Sequence, residues 1–232
     1  MDAALETLEL QLDRDGGVPC IALFGVAVEL KGDARKSAIE TIKAKHYTRS
    51  VPSGKSYYLQ FEDALVVWSI PANNNIARFV LGWPGNVWEL ARLYAPDGHE
   101  KNLLTRAISA GVSAIRRLEN PDALVSYADP NVGHQGGVYR AASWLYHGKC
   151  DKTRMYQRNG HTVARRAFHS GANGMTKAQI EADGWREIYQ PGKHRFVKPL
   201  TRKARKALAR ATPNEKVSDA PDSAAPNRES KI

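Results

Sequence analysis

The sequence contains no run of about 18 uncharged apolar residues, so nothing in it reads as a transmembrane helix. Its opening residues carry Asp2, Glu6 and Glu9 and lack a basic stretch followed by an apolar one, so no signal peptide is expected. Cysteine is scarce: Cys20 and Cys150 could pair only once and neither sits in a C-x-x-C, which excludes a disulfide scaffold and a zinc ribbon. No glycine-rich phosphate loop is present, neither G-x-G-x-x-G nor G-x-x-x-x-G-K-[ST], which argues against a nucleotide cofactor held in the usual ways. The absences together point to a reducing, cytoplasmic location.

What is present is a hydrophobic fraction of 42% in 232 residues, enough to bury a sizeable core as one domain or one domain with an appendage. The net charge of +10 is unevenly placed. Residues 1–139 hold 14 Lys and Arg against 16 Asp and Glu, whereas residues 140–210 hold 17 against 4. Residues 211–232 are again near balance, with 3 against 4. One contiguous third of the chain therefore carries all the positive excess. A folded surface of that charge attracts polyanions, and a solubilising surface would mix both signs. Lys149, Lys152, Arg154, Arg158, Arg165, Arg166, Lys193 and Arg195 are the candidate phosphate contacts, which would fix register without reading sequence.

Along the chain, Val18–Leu30 reads as a strand, followed by a helix that Asp33 could cap and that runs through His46. Ser56–Phe61 and Ala64–Ile70 form a hairpin with Glu62-Asp63 at its tip, and Pro71–Asn75 is a loop. Val87–Tyr94 is a strand, Glu100–Leu118 the clearest amphipathic helix, and Ala123–Ala128 another strand. Gly136–Leu145 reads as a helix ending near Gly148. There follow an element at His161–Phe168, two short strands around Trp185–Tyr189 and Arg195–Lys198, and a basic helix over Thr201–Ala211. From Thr212 the composition is that of a disordered tail. The order predicts an α/β fold with a mixed sheet. Its main domain spans 1–200, with 140–200 as the basic, polyanion-facing part, followed by the helix 201–211 and the tail 212–232.

The densest group of chemically unusual residues is Ser126–Tyr139. Asp129 lies just past a strand, where ligands of open α/β sheets sit, so it is placed as a general base would be. Asp-Pro after a strand is equally a turn and capping device. His134, Tyr139 and the surrounding glycines favour a site. A second group is His46-Tyr47-Thr48-Arg49-Ser50, at the predicted end of the first helix. Metal binding through His46, Asp129 or His134 matches no standard spacing, so whether a metal is used stays open.

The strand Val87–Tyr94, the helix Glu100–Leu118 and the Gly136–Ala142 segment resemble the core of the GNAT acyltransferase fold. In that fold a splayed strand and the next helix N-terminus hold the acyl donor. The corresponding loop here, Asp97-Gly98-His99-Glu100-Lys101-Asn102, has one glycine and two acids where the family's loop is R/Q-x-x-G-x-G/A. Asp129-Pro130-Asn131 is also similar to the D-P-P-Y motif of adenine-N6 methyltransferases, which holds an exocyclic amine. The runs His46–Lys55, Trp88–Leu93, Lys101-Asn102 with Thr105, Ser126–Tyr139 and Ala141–Gly148 together resemble the Mom family of phage DNA-modification proteins.

That resemblance implies a GNAT-like fold with a mixed central sheet flanked by helices and a basic C-terminal extension. It implies an enzyme that converts adenine to N6-(carbamoylmethyl)adenine in phage DNA, in the host cytoplasm, and so protects the DNA from restriction. It implies His46, Tyr47, Asp129 and Tyr139 in the active centre, with Arg92, Asn102 and Thr105 nearer the donor. Asp129, or His46 in its place, would take the amine proton, and Tyr139 and Tyr47 would serve the developing oxyanion or the leaving group. The partner would be double-stranded DNA, with the base flipped out of the stack. The group donor stays open between acyl-CoA (acetyl-CoA) and glycyl-tRNA, the latter making tRNA a second partner. Two other readings remain at this stage: a GNAT N-acyltransferase using acyl-CoA on a protein or small amine, and a non-catalytic DNA-binding protein.

Overall fold

A computed structural model of the chain describes residues 25–165, 168 and 174–211. Among these, seven strands form one sheet in the order β1-β2-β3-β4-β5-β10-β6, and three more form a second sheet in the order β8-β7-β9. The strands are β1 (Val28–Glu29), β2 (Ser56–Phe61), β3 (Ala64–Ser69), β4 (Val87–Tyr94), β5 (Ala123–Ala128), β6 (Leu145–Lys149), β7 (Thr153–Arg158), β8 (His161–Ala164), β9 (Arg186–Gln190) and β10 (His194–Pro199). The helices are α1 (Gly32–Lys45), α2 (Ile76–Leu81), α3 (Leu103–Glu119), α4 (Gly137–Ala141), α5 (Lys177–Ala182) and α6 (Arg202–Ala211). This is the mixed α/β sheet flanked by helices that the element order predicts.

The described residues fall into two compact units, the first drawn from Met1–Ile70 and Arg92–Pro121, the second from Pro71–Ala91 and Asp122–Ile232. In the first unit, β2 and β3 form the expected hairpin, in register from Ser56↔Ser69 to Phe61↔Ala64, with Glu62 taking positive φ at the tip. All six residues of β3 are buried. Ala38 and Ile42 of α1 pack on Tyr58, Leu65 and Val67, and each fully buried aliphatic side chain of this kind contributes roughly 1.5–3 kcal/mol. Helix α3 runs close to β3 because Gly111 has no side chain: a Cβ there would stand 2.9 Å from Val66 Cγ1. Its far end is tied down by Glu119, which accepts from both Tyr57 and Lys55.

In the second unit, β4 and β5 run parallel, and β10 pairs antiparallel with β5 on one side and β6 on the other. A core of Ile76, Val80, Leu81, Val87, Val125 and Val197 receives Ala204 and Leu208 from α6. The small sheet has its own core, in which Tyr156 packs with Ile180 and Trp185. Its β7–β8 turn is Asn159-Gly160, both at positive φ, the signature of a two-residue hairpin.

Several elements differ from expectation. The Gly136–Leu145 helix stops at Ala141. Ser143 adopts positive φ, Trp144 is buried, and Leu145–Lys149 becomes strand β6 because Leu145 and Tyr146 pair with Val197 and Phe196. Helix α3 begins at Leu103 rather than Glu100, since Asn102 is left-handed. Helix α1 starts at Gly32, with Asp33 inside its first turn bonded to Lys36 rather than acting as the cap. The His161–Phe168 element is a strand only to Ala164. Helix α2, strand β7 and helix α5 had no counterpart in the sequence reading. Of the expected strand Val18–Leu30, Val28–Glu29 is strand, and residues 18–24, like the tail from Thr212, lie outside the described residues.

Candidate active site

Strands β4 and β5 pair only from Val87↔Ala123 to Glu89↔Val125, and beyond that the ladder opens. At the opening the buried Ser126 hydroxyl sits 2.9 Å from the Leu90 carbonyl and 2.8 Å from the Tyr139 hydroxyl. A carbonyl can only accept, so when Ser126 gives its one proton to Leu90, Tyr139 donates to Ser126. A side-chain hydroxyl thus replaces the backbone N–H that the parted strand no longer supplies. The Tyr139 ring is fixed by Phe196 at 5.2 Å and Trp144 at 5.6 Å between centroids. Gly136, which begins this turn at φ +83°, lies so close to Phe196 that a Cβ would stand 2.2 Å from Cζ.

Asp129 follows β5, as expected, and both its oxygens are engaged. Oδ1 accepts from the Asn131 backbone N–H at 3.0 Å and from Asn131 Nδ2 at 2.8 Å, and Oδ2 accepts from Lys193 Nζ at 3.0 Å. The carboxylate therefore caps the short 3₁₀ turn Pro130–Val132 with Oδ1 and is ion-paired through Oδ2. Burial pushes its pKa up, but Lys193 and Asn131 together outweigh burial and hold it below the ordinary carboxylate range. His134, beside this group and open to solvent on one side, has its pKa lowered by partial desolvation and by Lys193, against the pull of Asp129.

Residues the sequence reading did not single out complete this region. His194 is buried, its Nδ1 lies 3.2 Å from the Tyr146 hydroxyl, and burial together with Lys149 and Arg140 lowers its pKa. Arg140 lies over the rings of Tyr146 and Phe196 at 5.6 Å from each, and its buried Nη2 has no hydrogen-bond partner among the described residues. Tyr127 is held protonated by burial and by Glu89. The available signal was strand alternation: His194, Phe196 and Ser126 lie in one pair of facing strands, in the registers His194↔Ala128 and Phe196↔Ser126.

In the first unit, His46 ends α1 and is buried, with its ring 4.5 Å from that of the half-exposed Tyr47. Its Nδ1 accepts the Thr48 backbone N–H at 3.2 Å and lies 2.9 Å from Thr48 Oγ1, which leaves the proton of the neutral ring on Nε2. Arg92 donates from Nε to the Ser50 carbonyl at 2.8 Å and from Nη2 to Ser50 Oγ at 3.0 Å, locking the loop after α1. Asn102 is the N-cap of α3 without a side-chain cap bond, and Thr105 lies in a first turn that holds no acid. Glu100, the nearest acid, is drawn off by Arg106 at 2.6 Å. The positive end of the α3 dipole is therefore not countered by an acid within its own first turn.

The candidate phosphate contacts divide. Lys149, Lys152 and Arg165 are exposed and carry no ion pair among the described residues. Arg154 pairs with Glu187 at 3.5 Å, Arg158 with Asp183 at 3.0 Å, and Lys193 with Asp129. Arg195 is spent internally, on His147 and over the Phe79 ring at 4.3 Å. Arg166 lies outside the described residues. Among the described residues no group of three or more His, Cys, Asp or Glu could hold a metal, and no helix is long and apolar enough to cross a membrane.

The fold and site define a mixed α/β protein whose parallel strand pair opens onto a buried Ser–Tyr couple and an ion-paired aspartate. The sequence model of the Mom protein family matches residues 28–216, most of the chain and every candidate residue, and the chain belongs to that family. No curated protein sequence matches it. Among solved structures it is similar to a Bacillus subtilis acetyltransferase in complex with CoA, at 10% identity and TM-score 0.38 over 75% of this chain and 97% of that one. It is similar to a chain of the NatC complex bound to Gag peptide and CoA, at 9% identity and TM-score 0.40 over 76% and 100%. A third is an agmatine N-acetyltransferase mutant in apo form, at 11% identity and TM-score 0.41 over 75% and 99%.

Proposed function

We propose that the chain is a DNA-modifying transferase that converts adenine to N6-(carbamoylmethyl)adenine in duplex DNA of a phage, shielding it from host restriction. The observation that carries this reading is the Mom family match over residues 28–216. The adenine amine is a poor nucleophile because its lone pair is delocalised into the ring, so a base must take its proton as the new bond forms. Asp129 supports that role: it is ionised, fixed by Asn131, and bonded to a half-exposed lysine that can swing away from Oδ2. The Tyr139 hydroxyl donates to Ser126 in the free protein, and it serves as donor to the developing oxyanion or leaving group by turning that proton away from Ser126 when substrate is bound.

Plain acetyl transfer would leave N6-acetyladenine, so the product requires a donor that brings nitrogen. A glycyl ester does. The adenine N6 attacks the glycyl carbonyl, the ester C–O bond breaks, and the tRNA 3′-oxygen leaves with the proton. The glycyl amine then attacks ring C6 through a five-membered spiro intermediate, and the C6–N6 bond breaks. The original N6 becomes the carboxamide nitrogen, and the former glycyl nitrogen becomes the ring-attached one.

The test is to express the chain in a bacterium, digest the plasmid DNA to nucleosides and analyse deoxyadenosine by mass spectrometry, with Asp129→Ala alongside. A deoxyadenosine heavier by one carbamoylmethyl unit, absent with the variant, is the expected result. Labelled adenine N6 recovered at the ring-attached nitrogen would sink the glycyl route. Thermal stabilisation by acetyl-CoA with no DNA modification would favour an acyl-CoA enzyme acting on another amine.

A further inference from the structure

Helix α6, Arg202–Ala211, has two unlike faces. Ala204 and Leu208 are buried in the core formed by α2, β4, β5 and β10. At about 100° per residue, Arg202, Lys203, Arg205, Lys206 and Arg210 cover an arc of roughly 160° centred opposite those two. All five are exposed, none forms an ion pair among the described residues, and the helix contains no acid. Its start is fixed by the Asp122 carbonyl, which accepts the backbone N–H of Leu200 at 2.9 Å and of Thr201 at 3.2 Å, while the Thr201 hydroxyl accepts the N–H of Ala204 at 3.1 Å.

Local stability does not account for this charge. Arg202 and Lys206, and Lys206 and Arg210, are like-charge pairs at i,i+4, which destabilise a helix, and Arg202 and Lys203 sit at the positive end of the helix dipole. A solvated face would interleave acids, as α5 does with Lys177 and Glu181 at 3.6 Å. Four of the eight candidate phosphate contacts elsewhere are already used within the fold. Lys149, Lys152 and Arg165 are likewise unopposed, but α6 gathers five exposed cations and no acid on one ten-residue helix, with Lys203 also 4.4 Å over the Trp83 ring and Arg205 donating to the Leu200 carbonyl at 3.4 Å.

We propose that the outward face of α6 is a docking surface for duplex DNA, gripping the phosphates that flank a major groove. This rests on the DNA reading above and adds a surface that reading does not contain. A helix roughly 10–12 Å across matches a major groove about 12 Å wide. Its cations lie on both flanks of the outward face, Arg205 on one side and Lys203 and Arg210 on the other, where two phosphate rows border the groove. A single strand offers one row, and the deep, narrow major groove of A-form RNA does not admit the helix.

The test measures binding of the full chain to a 30-bp duplex by fluorescence anisotropy across a salt series. It is run for wild type, for the pair Arg202→Gln/Lys206→Gln, and for the same pair with Lys203→Gln, Arg205→Gln and Arg210→Gln added. Glutamine keeps helix propensity, and circular dichroism checks that each variant is folded. With a slope of about 0.9 per phosphate contact, the pair should flatten the log–log salt dependence by ~2 and the fivefold variant by ~3–5, with affinity lowered by roughly 30-fold or more. Wild-type slopes in folded variants, with wild type binding and modifying DNA, overturn the docking surface and leave the function standing. Loss of tRNA binding with duplex binding intact overturns it in favour of RNA. No duplex binding by wild type at low salt overturns both.

Discussion

Asp129 and Lys193 are joined by a 3.0 Å ion pair, so the candidate base and one candidate phosphate contact neutralise each other in the free protein. Replacing Lys193 with Met removes the main influence opposing burial, and the Asp129 carboxyl rises toward and past the ordinary carboxylate range. The acid limb of the modification rate should move to higher pH in Lys193→Met, measured as modified deoxyadenosine against pH. An unmoved limb would mean that Asp129 is not the group whose ionisation the rate reports.

The Ser126–Tyr139 couple separates stability from chemistry. Ser126→Ala leaves the buried Leu90 carbonyl without its donor and should cost about 1–3 kcal/mol. Tyr139→Phe keeps the ring packing and leaves Ser126 bonded to Leu90, so its stability loss should stay near ~1 kcal/mol while modification falls at least ~10-fold. Thermal unfolding beside product yield checks both. Equal losses of stability in the two variants would reduce Tyr139 to a packing residue.

Gly136→Ala meets two penalties at once, a positive φ and a ring carbon 2.2 Å from the new Cβ. It should destabilise the protein by more than about 2 kcal/mol and displace Phe196 from Tyr139. Gly98→Ala, at φ +74° but with open space around it, should cost only the backbone share, roughly 1 kcal/mol. Urea unfolding of the pair measures the difference.

Three histidines have pKa values lowered mainly by burial: His134, His147 and His194. Each binds a proton more readily in the unfolded chain, so its stabilising contribution is complete above about 6.5 and is lost as the pH falls toward and through the depressed folded values. Stability should therefore decline on acidification below about pH 6.5, well before the carboxylates titrate. Asp129, depressed in the other class, keeps its contribution until the pH drops below about 4. Urea midpoints at pH 7.5, 6.0 and 5.0 give the comparison; a flat profile would contradict the lowered values, above all that of His194, the buried ring of the three.

Elements with a local signature were legible. The hairpin Ser56–Ser69, strand Val87–Tyr94 and strand Ala123–Ala128 are apolar runs bounded by turn residues, and the structure has them where expected. Strand β6 was not legible, because its pairing partner in β10 is some fifty residues away and no local pattern shows it. Helix α2 is six residues of nearly continuous apolar sequence, too short to show a period. Helix α5 carried a readable mark, the capping box of Thr176 and Gln179, that went unused.

The site divides in the same way. Asp129, Tyr139, His46 and Tyr47 stand in clusters unusual enough to notice. The pairing of Asp129 with Lys193 depends on β10 crossing back beside β5, and the burial of His194 depends on the same crossing. Charge counting located the basic third of the chain but gave no way to tell a salt-bridged arginine such as Arg158 from an unopposed one such as Arg202.

Strand β10, inserted between β5 and β6, also fixes when the centre can exist. The ribosome delivers Asp129, Tyr139 and Ser126 long before it delivers Lys193, His194 and Phe196, and the sheet gap between β5 and β6 stays open in the interval. A chain stalled or cut short of Pro199 carries the candidate base without its counter-charge and Tyr139 without the ring that holds it. The candidate centre is therefore completed late, and the β5 edge exposed before β10 arrives is a point at which a nascent chain is open to mispairing.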